Sequence, residues 1–198
     1  MNMNTMKHSP SRERGMVLVT SLLLLVVVTV LAVSMFRSFG IDEKIAGNVR
    51  EKQRALNAAE TAEEYAESWL SLGNGTVPVT CSGMAAASVG QVCTNTLAAA
   101  GLNPSVIPWS ISGANVGVNY TPAVGSVATM TTSTSGGANT YYANPVFYIG
   151  WLGTSTVNRI TTTFYQIDAV GYGGSPDAAA VVEATYSTTS TVTCLSCS

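Results

Sequence analysis

The sequence predicts an α+β protein, with one long N-terminal α-helix packed on a C-terminal antiparallel β-sheet domain. Three observations carry this. No charged residue interrupts positions 15–36. No proline occurs between Met16 and Val77. Three β-rich runs, 146–152, 160–170 and 179–185, follow one another toward the C-terminal end. The expected divisions are a short polar segment (1–15), the long helix (16–72, with 16–36 as its transmembrane half) and a β-rich head (73–198).

The uncharged run decides the compartment. Its 22 residues would span about 33 Å as a helix, which matches a bilayer core. Fourteen of them are Val, Leu or Phe, so insertion is favoured by on the order of 5 kcal/mol before the smaller polar costs of Thr20, Ser21, Thr29 and Ser34. Lys7, Arg12 and Arg14 precede the run against one Glu13, which keeps the N-terminus cytoplasmic and exports the remainder. Three readings compete: a permanent single-span anchor, a secretory signal cut after Ala32-Val33-Ser34, and a leader cut on the cytoplasmic side at Gly15. A buried core helix rarely runs this long without a charge.

Beyond the run, residues 35–72 are rich in Ala, Glu, Lys, Arg, Gln and Leu, all good helix formers. Ile41, Ile45, Val49, Leu56, Ala59, Ala62, Ala66 and Trp69 recur mostly at three- and four-residue steps and draw one apolar stripe. Gly40 and Gly47 each weaken a helix by about 1 kcal/mol against Ala. They fit close packing against a neighbour or a point where the helix loosens. Gly73-Asn74-Gly75 ends the helix.

Composition changes there. Sixteen of the twenty charged residues lie at or before Glu67, and only Arg159, Asp168, Asp177 and Glu183 follow. The head is Ser/Thr/Ala/Asn/Gly-rich, with weak strand signals over 77–143 and turns at Asn119-Tyr120-Thr121-Pro122 and Ser135-Gly136-Gly137. Separators at 153–159 and 171–177 make the three β-rich runs an antiparallel meander, whose apolar face the helix stripe from Val49 to Trp69 would cover. Four cysteines allow three connectivities. The local pairs Cys81–Cys93 and Cys194–Cys197 are the first expectation for an exported domain. A redox or zinc role for Cys194-Leu195-Ser196-Cys197 is the alternative, although redox motifs usually open a helix.

Nothing points to catalysis or a cofactor. The sole histidine, His8, precedes the Gly15 cut, so a chain cut there would lack Ser-His and Cys-His pairs and histidine metal ligands. Asp168, Asp177 and Glu183 could supply a carboxylate pair, but they read better as strand-face and turn residues. No P-loop and no basic patch are present, and the net charge of −2 exerts no pull on nucleic acid. Trp109, Tyr120, Tyr141 and Tyr142 fit either a small core or a sugar- or surface-binding loop set.

Arg14-Gly15-Met16 against the apolar run resembles a type IV prepilin. The stretch Arg37-Ser38-Phe39-Gly40-Ile41-Asp42-Glu43-Lys44-Ile45-Ala46-Gly47-Asn48-Val49-Arg50 resembles the PilX family. So do Gln53-Arg54-Ala55-Leu56-Asn57-Ala58-Ala59-Glu60 and the tail strands around Tyr165-Gln166-Ile167-Asp168 and Ala180-Val181-Val182-Glu183. The resemblance implies a pilin-like fold, a leader (1–15) cut between Gly15 and Met16 by prepilin peptidase, and N-methylation of Met16. It also implies an inner-membrane single-pass precursor that joins an extracellular pilus. Its partners would be other minor pilins, the major pilin, the inner-membrane pilus assembly machinery and a tip adhesin. Major pilins carry Glu at the fifth mature position, where it neutralises a neighbour's terminal amine. Here that position is Thr20, which suits a minor pilin at the tip that primes assembly and supports adhesion or twitching motility. The alternatives are a K-type pseudopilin of a type II secretion system, for whose larger inserted domain the head leaves little room, and a membrane-anchored adhesin.

Overall fold

The computed structural model describes residues 14–86, 89–121, 130–135 and 140–191. One helix, α1, runs Arg14–Ser71. The strands are β1 (Met84–Ala86), β2 (Ser110–Ile111), β3 (Ala114–Asn115), β4 (Gly117–Asn119), β5 (Val146–Val157), β6 (Ile160–Tyr172) and β7 (Ala179–Thr191). The chain divides between Gly47 and Asn48 into two compact units. In the first, the helix is continuous through Gly40 and Gly47, and a methyl group at either glycine would meet nothing within 4 Å.

The second unit is built on a five-stranded sheet of order β1-β4-β5-β6-β7, antiparallel except for the β1–β4 pair. β2 and β3 form a separate hairpin. The meander is as read from the sequence, but its strands are longer. Residues 153–157 continue β5 instead of forming a loop, and β7 runs to Thr191. Thr and Ser in these segments favour an extended chain, and they pair in register across β5, β6 and β7. The β5–β6 turn is only Asn158-Arg159, both at positive φ (51° and 65°). Such a two-residue turn matches the twist of its strands. Arg is an unusual residue there, so the sequence signal was weak. A bulge at Leu152 shifts the register between Trp151 and Gly153.

One sheet face packs on the helix. Phe147, Ile149, Tyr165, Ile167 and Ala169 join Ala62, Ala66 and Leu70 in a buried cluster. The helix face differs from the expected stripe. Ala55, Ala58, Ala59, Ala62, Ala66 and Leu70 are buried, whereas Val49 is 53% and Leu56 39% exposed. Small side chains win this face because the sheet comes very close. A methyl group at Gly171 would overlap the Ala55 carbonyl oxygen and the Ala59 nitrogen. The helix ends as expected: Gly73 takes φ 81° and donates to the Leu70 carbonyl, and Asn74 Nδ2 donates to the Trp69 carbonyl.

The other face has a cover the sequence reading lacked. Residues around 79–116 fold over it and bury Leu97, Trp109 and Val116 against Tyr148 and Val170. The cover is tied to the edge of β5: Cys93 N–H donates to the Ile149 carbonyl at 2.7 Å, and Trp151 N–H donates to the Cys93 carbonyl at 2.8 Å. A disulfide joins Cys93 to Cys81. Tyr148 Oη donates to the Asn95 carbonyl, and Trp109 Nε1 to the Pro104 carbonyl, both at 2.8 Å. Each polar aromatic therefore keeps a partner on burial.

Two substitutions test the close helix–sheet approach. Gly171→Ala should lower stability by about 1–3 kcal/mol, since backbone atoms must move to admit one methyl group. Gly83→Ala, where a methyl group meets nothing within 4 Å, should stay within about 0.5 kcal/mol of the parent. Guanidinium denaturation of the full chain in detergent micelles, followed by tryptophan fluorescence, measures both. Equal effects would refute the argument.

Candidate functional site

The residues singled out at the N-terminus lie on the first turns of α1. Met16 is 76% exposed and Thr20 follows one turn later on the same helix. Every polar side chain of the uncharged run turns back on its own backbone. Thr20 Oγ1 donates toward the Met16 and Val17 carbonyls, each at 3.0 Å. Ser21 donates to Leu18, Thr29 to Val26 and Ser34 to Val30. Hydroxyls satisfied in this way are cheap to place in hydrocarbon, where an unpaired one is costly. The apolar side chains of the run, from Met16 to Phe36, point outward and are exposed. Among the described residues this is one helix long and apolar enough to cross a membrane. Its first turn carries no acidic residue, and Thr20 holds no charge to set against a neighbouring ammonium group.

Residues 14–62 match the family model described as PilX N-terminal. Over this helix the chain is similar to the N-terminal region of PilX proteins. The match includes Gly15, Met16 and Thr20 and continues through the helix as far as Ala62. The resemblance read in the tail strands, 145–186, lies outside it. No curated protein and no solved structure matches the chain. The match covers 49 of the 198 residues, all of them on α1, and is a likeness to a type IV pilin N-terminal segment.

On the part of α1 that belongs to the second unit, three side chains clamp the sheet. Glu51 accepts hydrogen bonds from the Gly174 N–H and from Arg54 Nη1, at 2.5 and 2.9 Å. Arg54 Nη2 donates to the Thr140 carbonyl, and its guanidinium lies 4.5 Å over the Tyr141 ring. Lys52 donates to the Ala179 carbonyl. Burial pushes the Glu51 carboxyl upward, but the Gly174 N–H and the Arg54 guanidinium outweigh it and hold it below its ordinary range. This clamp was missed at the sequence level. Its trace there is the Gly171-Tyr172-Gly173-Gly174 run, which leaves room for a helix: a methyl group at Gly173 would crowd the Glu51 carbonyl.

The aromatic residues that fit either a small core or a binding loop set are engaged within the head. Trp109 is 2% exposed, Tyr120 stacks on Tyr65 at 4.4 Å, and Tyr142 packs against Tyr172. Asp177 lies in the β6–β7 turn as expected. Asp168 lies on a face of β6 as expected and is fully buried there, between Tyr148 on β5 and Glu183 on β7. Gln166 Nε2 reaches it at 3.4 Å. Burial, with Glu183 adding to it, raises the Asp168 carboxyl to about 6, against the lowering effect of Gln166. Burial and then Asp168 push the Tyr148 phenol up to about 12. On the helix, burial and then Glu67, Glu64 and Glu60 raise Glu63 to about 7. Among the described residues no three His, Cys, Asp or Glu side chains converge on a metal site. Cys194, Cys197 and His8 lie outside the described residues.

These carboxyls set a pH dependence of stability. A carboxyl raised in the folded state binds its proton more tightly there than in the unfolded chain, so its contribution is present at low pH and lost as pH rises through the folded value. The melting temperature should fall between about pH 4 and pH 7 and then level off. Asp168→Asn should raise it at pH 8 and flatten the lower half of the slope, and Glu63→Gln should flatten the upper half. Glu51, held low, acts in the opposite sense and only below its ordinary value of 4.5. Calorimetry of the full chain in micelles checks this; a melting temperature that climbs from pH 5 to pH 7 would contradict it.

Proposed function

We propose that the chain is a minor pilin of a type IV pilus, acting at the filament tip to prime assembly and supporting adhesion or twitching motility. The observation that carries the tip reading is Thr20. A filament-shaft subunit needs a carboxylate at the fifth mature position to offset its neighbour's buried terminal amine, because an unpaired charge in apolar surroundings is costly. Thr20 is neutral, and its hydroxyl is engaged by its own helix. A subunit at the tip has no earlier neighbour whose amine requires it.

In this reading prepilin peptidase cuts between Gly15 and Met16, removes the leader (1–15) and leaves an N-methylated Met16. The mature helix then passes from the inner membrane into the filament, with its head (73–198) outward. Partners are the other minor pilins, the major pilin, the assembly machinery and a tip adhesin. The pair Cys194–Cys197 is proposed to close as a second disulfide beside Cys81–Cys93.

The intact mass and N-terminal sequence after co-expression with a prepilin peptidase test the processing step. The expected product begins at N-methylated Met16. A start at Met35 would mean a secreted protein, and an uncut chain a simple anchor; either would end the filament reading. For position, Thr20→Glu should redistribute immunogold label from pilus tips into the shaft. Label that stays at the tip would remove Thr20 as the determinant.

A further inference from the structure

The head contains a cleft of about 240 Å³ on the sheet face away from the helix. Its floor is apolar. Val146 and Val170 come from neighbouring positions on β5 and β6, and Trp109 and Val116 from the covering layer. Its polar lining consists of three carboxamides and one phenol: Asn115, Asn119, Asn144 and Tyr172. None of the lining side chains is charged at neutral pH. Burial raises the Tyr172 phenol above its ordinary value, so it stays a neutral donor.

These polar groups are held by regular elements. Asn115 sits on the β2–β3 hairpin, whose two-residue turn, Ser112-Gly113, has both φ values positive. Asn119 ends β4 and pairs in register with Val146. Tyr172 ends β6, and its ring packs on Tyr142 at 5.8 Å. Asn144 donates to the Thr121 hydroxyl at 3.2 Å. The Asn115 and Asn119 carboxamides and the Tyr172 hydroxyl make no hydrogen bond among the described residues. Each carboxamide offers two donors and an acceptor, and the phenol offers one donor and an acceptor.

We infer that this cleft is a binding site for a neutral sugar residue. A pyranose ring has an apolar C–H face and an edge of hydroxyls that both donate and accept. An apolar floor ringed by carboxamides and a phenol matches both surfaces. The cleft is smaller than the roughly 300–1,000 Å³ of sites for drug-sized ligands, so it takes one ring of a glycan. Because no charge lines it, acidic and basic sugars would lose solvation without gaining a counter-charge, and they are discriminated against.

The inference does not depend on the filament reading, since the cleft lies within the head and can be probed in the unassembled chain. The full chain in detergent micelles would be examined by saturation-transfer NMR. The neutral probes are glucose, galactose and N-acetylglucosamine, and the charged controls are glucuronate and glucosamine. At least one neutral probe should bind with a Kd below about 10 mM, and the charged counterparts more weakly. Raising salt from about 50 to 500 mM should change that Kd less than about twofold. Replacing exposed Asn115 and Asn119 together by Ala should weaken binding about tenfold or more with an unchanged melting temperature. Thr154→Ala on β5, remote from the cleft, should leave binding intact. Absence of binding by all three neutral probes, binding indifferent to the double substitution, or preference for a charged sugar would each overturn the proposal.

Discussion

The fold of the head depends on how closely helix and sheet approach. Gly171 leaves β6 without a side chain where it meets Ala55 and Ala59, so backbone lies almost against backbone. That contact explains why the buried helix face is alanine and why the larger Val49 and Leu56 are left aside. It also places Glu51, Lys52 and Arg54 within reach of the β6–β7 connection and of Thr140. Dispersion and apolar burial act over a few ångströms, so a seam of small residues gains through proximity what it lacks in side-chain bulk.

With one face given to the helix, the opposite face must be closed by something other than regular structure. Among the described residues the covering segment holds the two-residue strands β2 and β3 and the short edge strand β1. Such a segment loses much conformational entropy on folding and has few ladder hydrogen bonds to hold it. The Cys81–Cys93 disulfide limits that entropy in the unfolded chain, and the Cys93 backbone bonds to β5 fix the segment on the sheet. The N-terminal unit meets a different constraint. Its uncharged run must carry four hydroxyls without leaving them unpaired, and each does so by donating to a carbonyl of its own helix.

The legible parts of the sequence were those with strong local signals. The uncharged run, the helix end at Gly73 and the three final strands each follow from composition or periodicity, and the PilX resemblance, read from Arg14 to about Trp69 and in the tail strands, is matched by the family model over 14–62. What escaped was set by tertiary contact. Ala55 and Ala58 give only a weak apolar signal, and the close approach at Gly171 gives them a core role. Asp168 reads as a strand-face carboxylate because nothing local announces that the segment near Asn95 will cover its side of the sheet. Asn115, Asn119 and Tyr172 are far apart in sequence and meet only through the sheet order. Arg159 hid a tight turn because a non-glycine residue with positive φ leaves no compositional mark.

The lengthened strands have a consequence of their own. β6 is buried from Ile167 to Gly171, yet near the Asn158-Arg159 turn Phe164 is 39% and Ile160 44% exposed. Around that turn Thr154, Thr156, Thr161 and Thr163 face neighbours of the same kind, joined by contacts such as the 3.0 Å approach of the Thr156 and Thr161 hydroxyls. Extended-chain preference and ladder hydrogen bonds hold this end together, while core burial holds the other. A single continuous strand therefore carries two local stabilities, and amide protons at its turn end exchange through openings far smaller than those that expose Ile167.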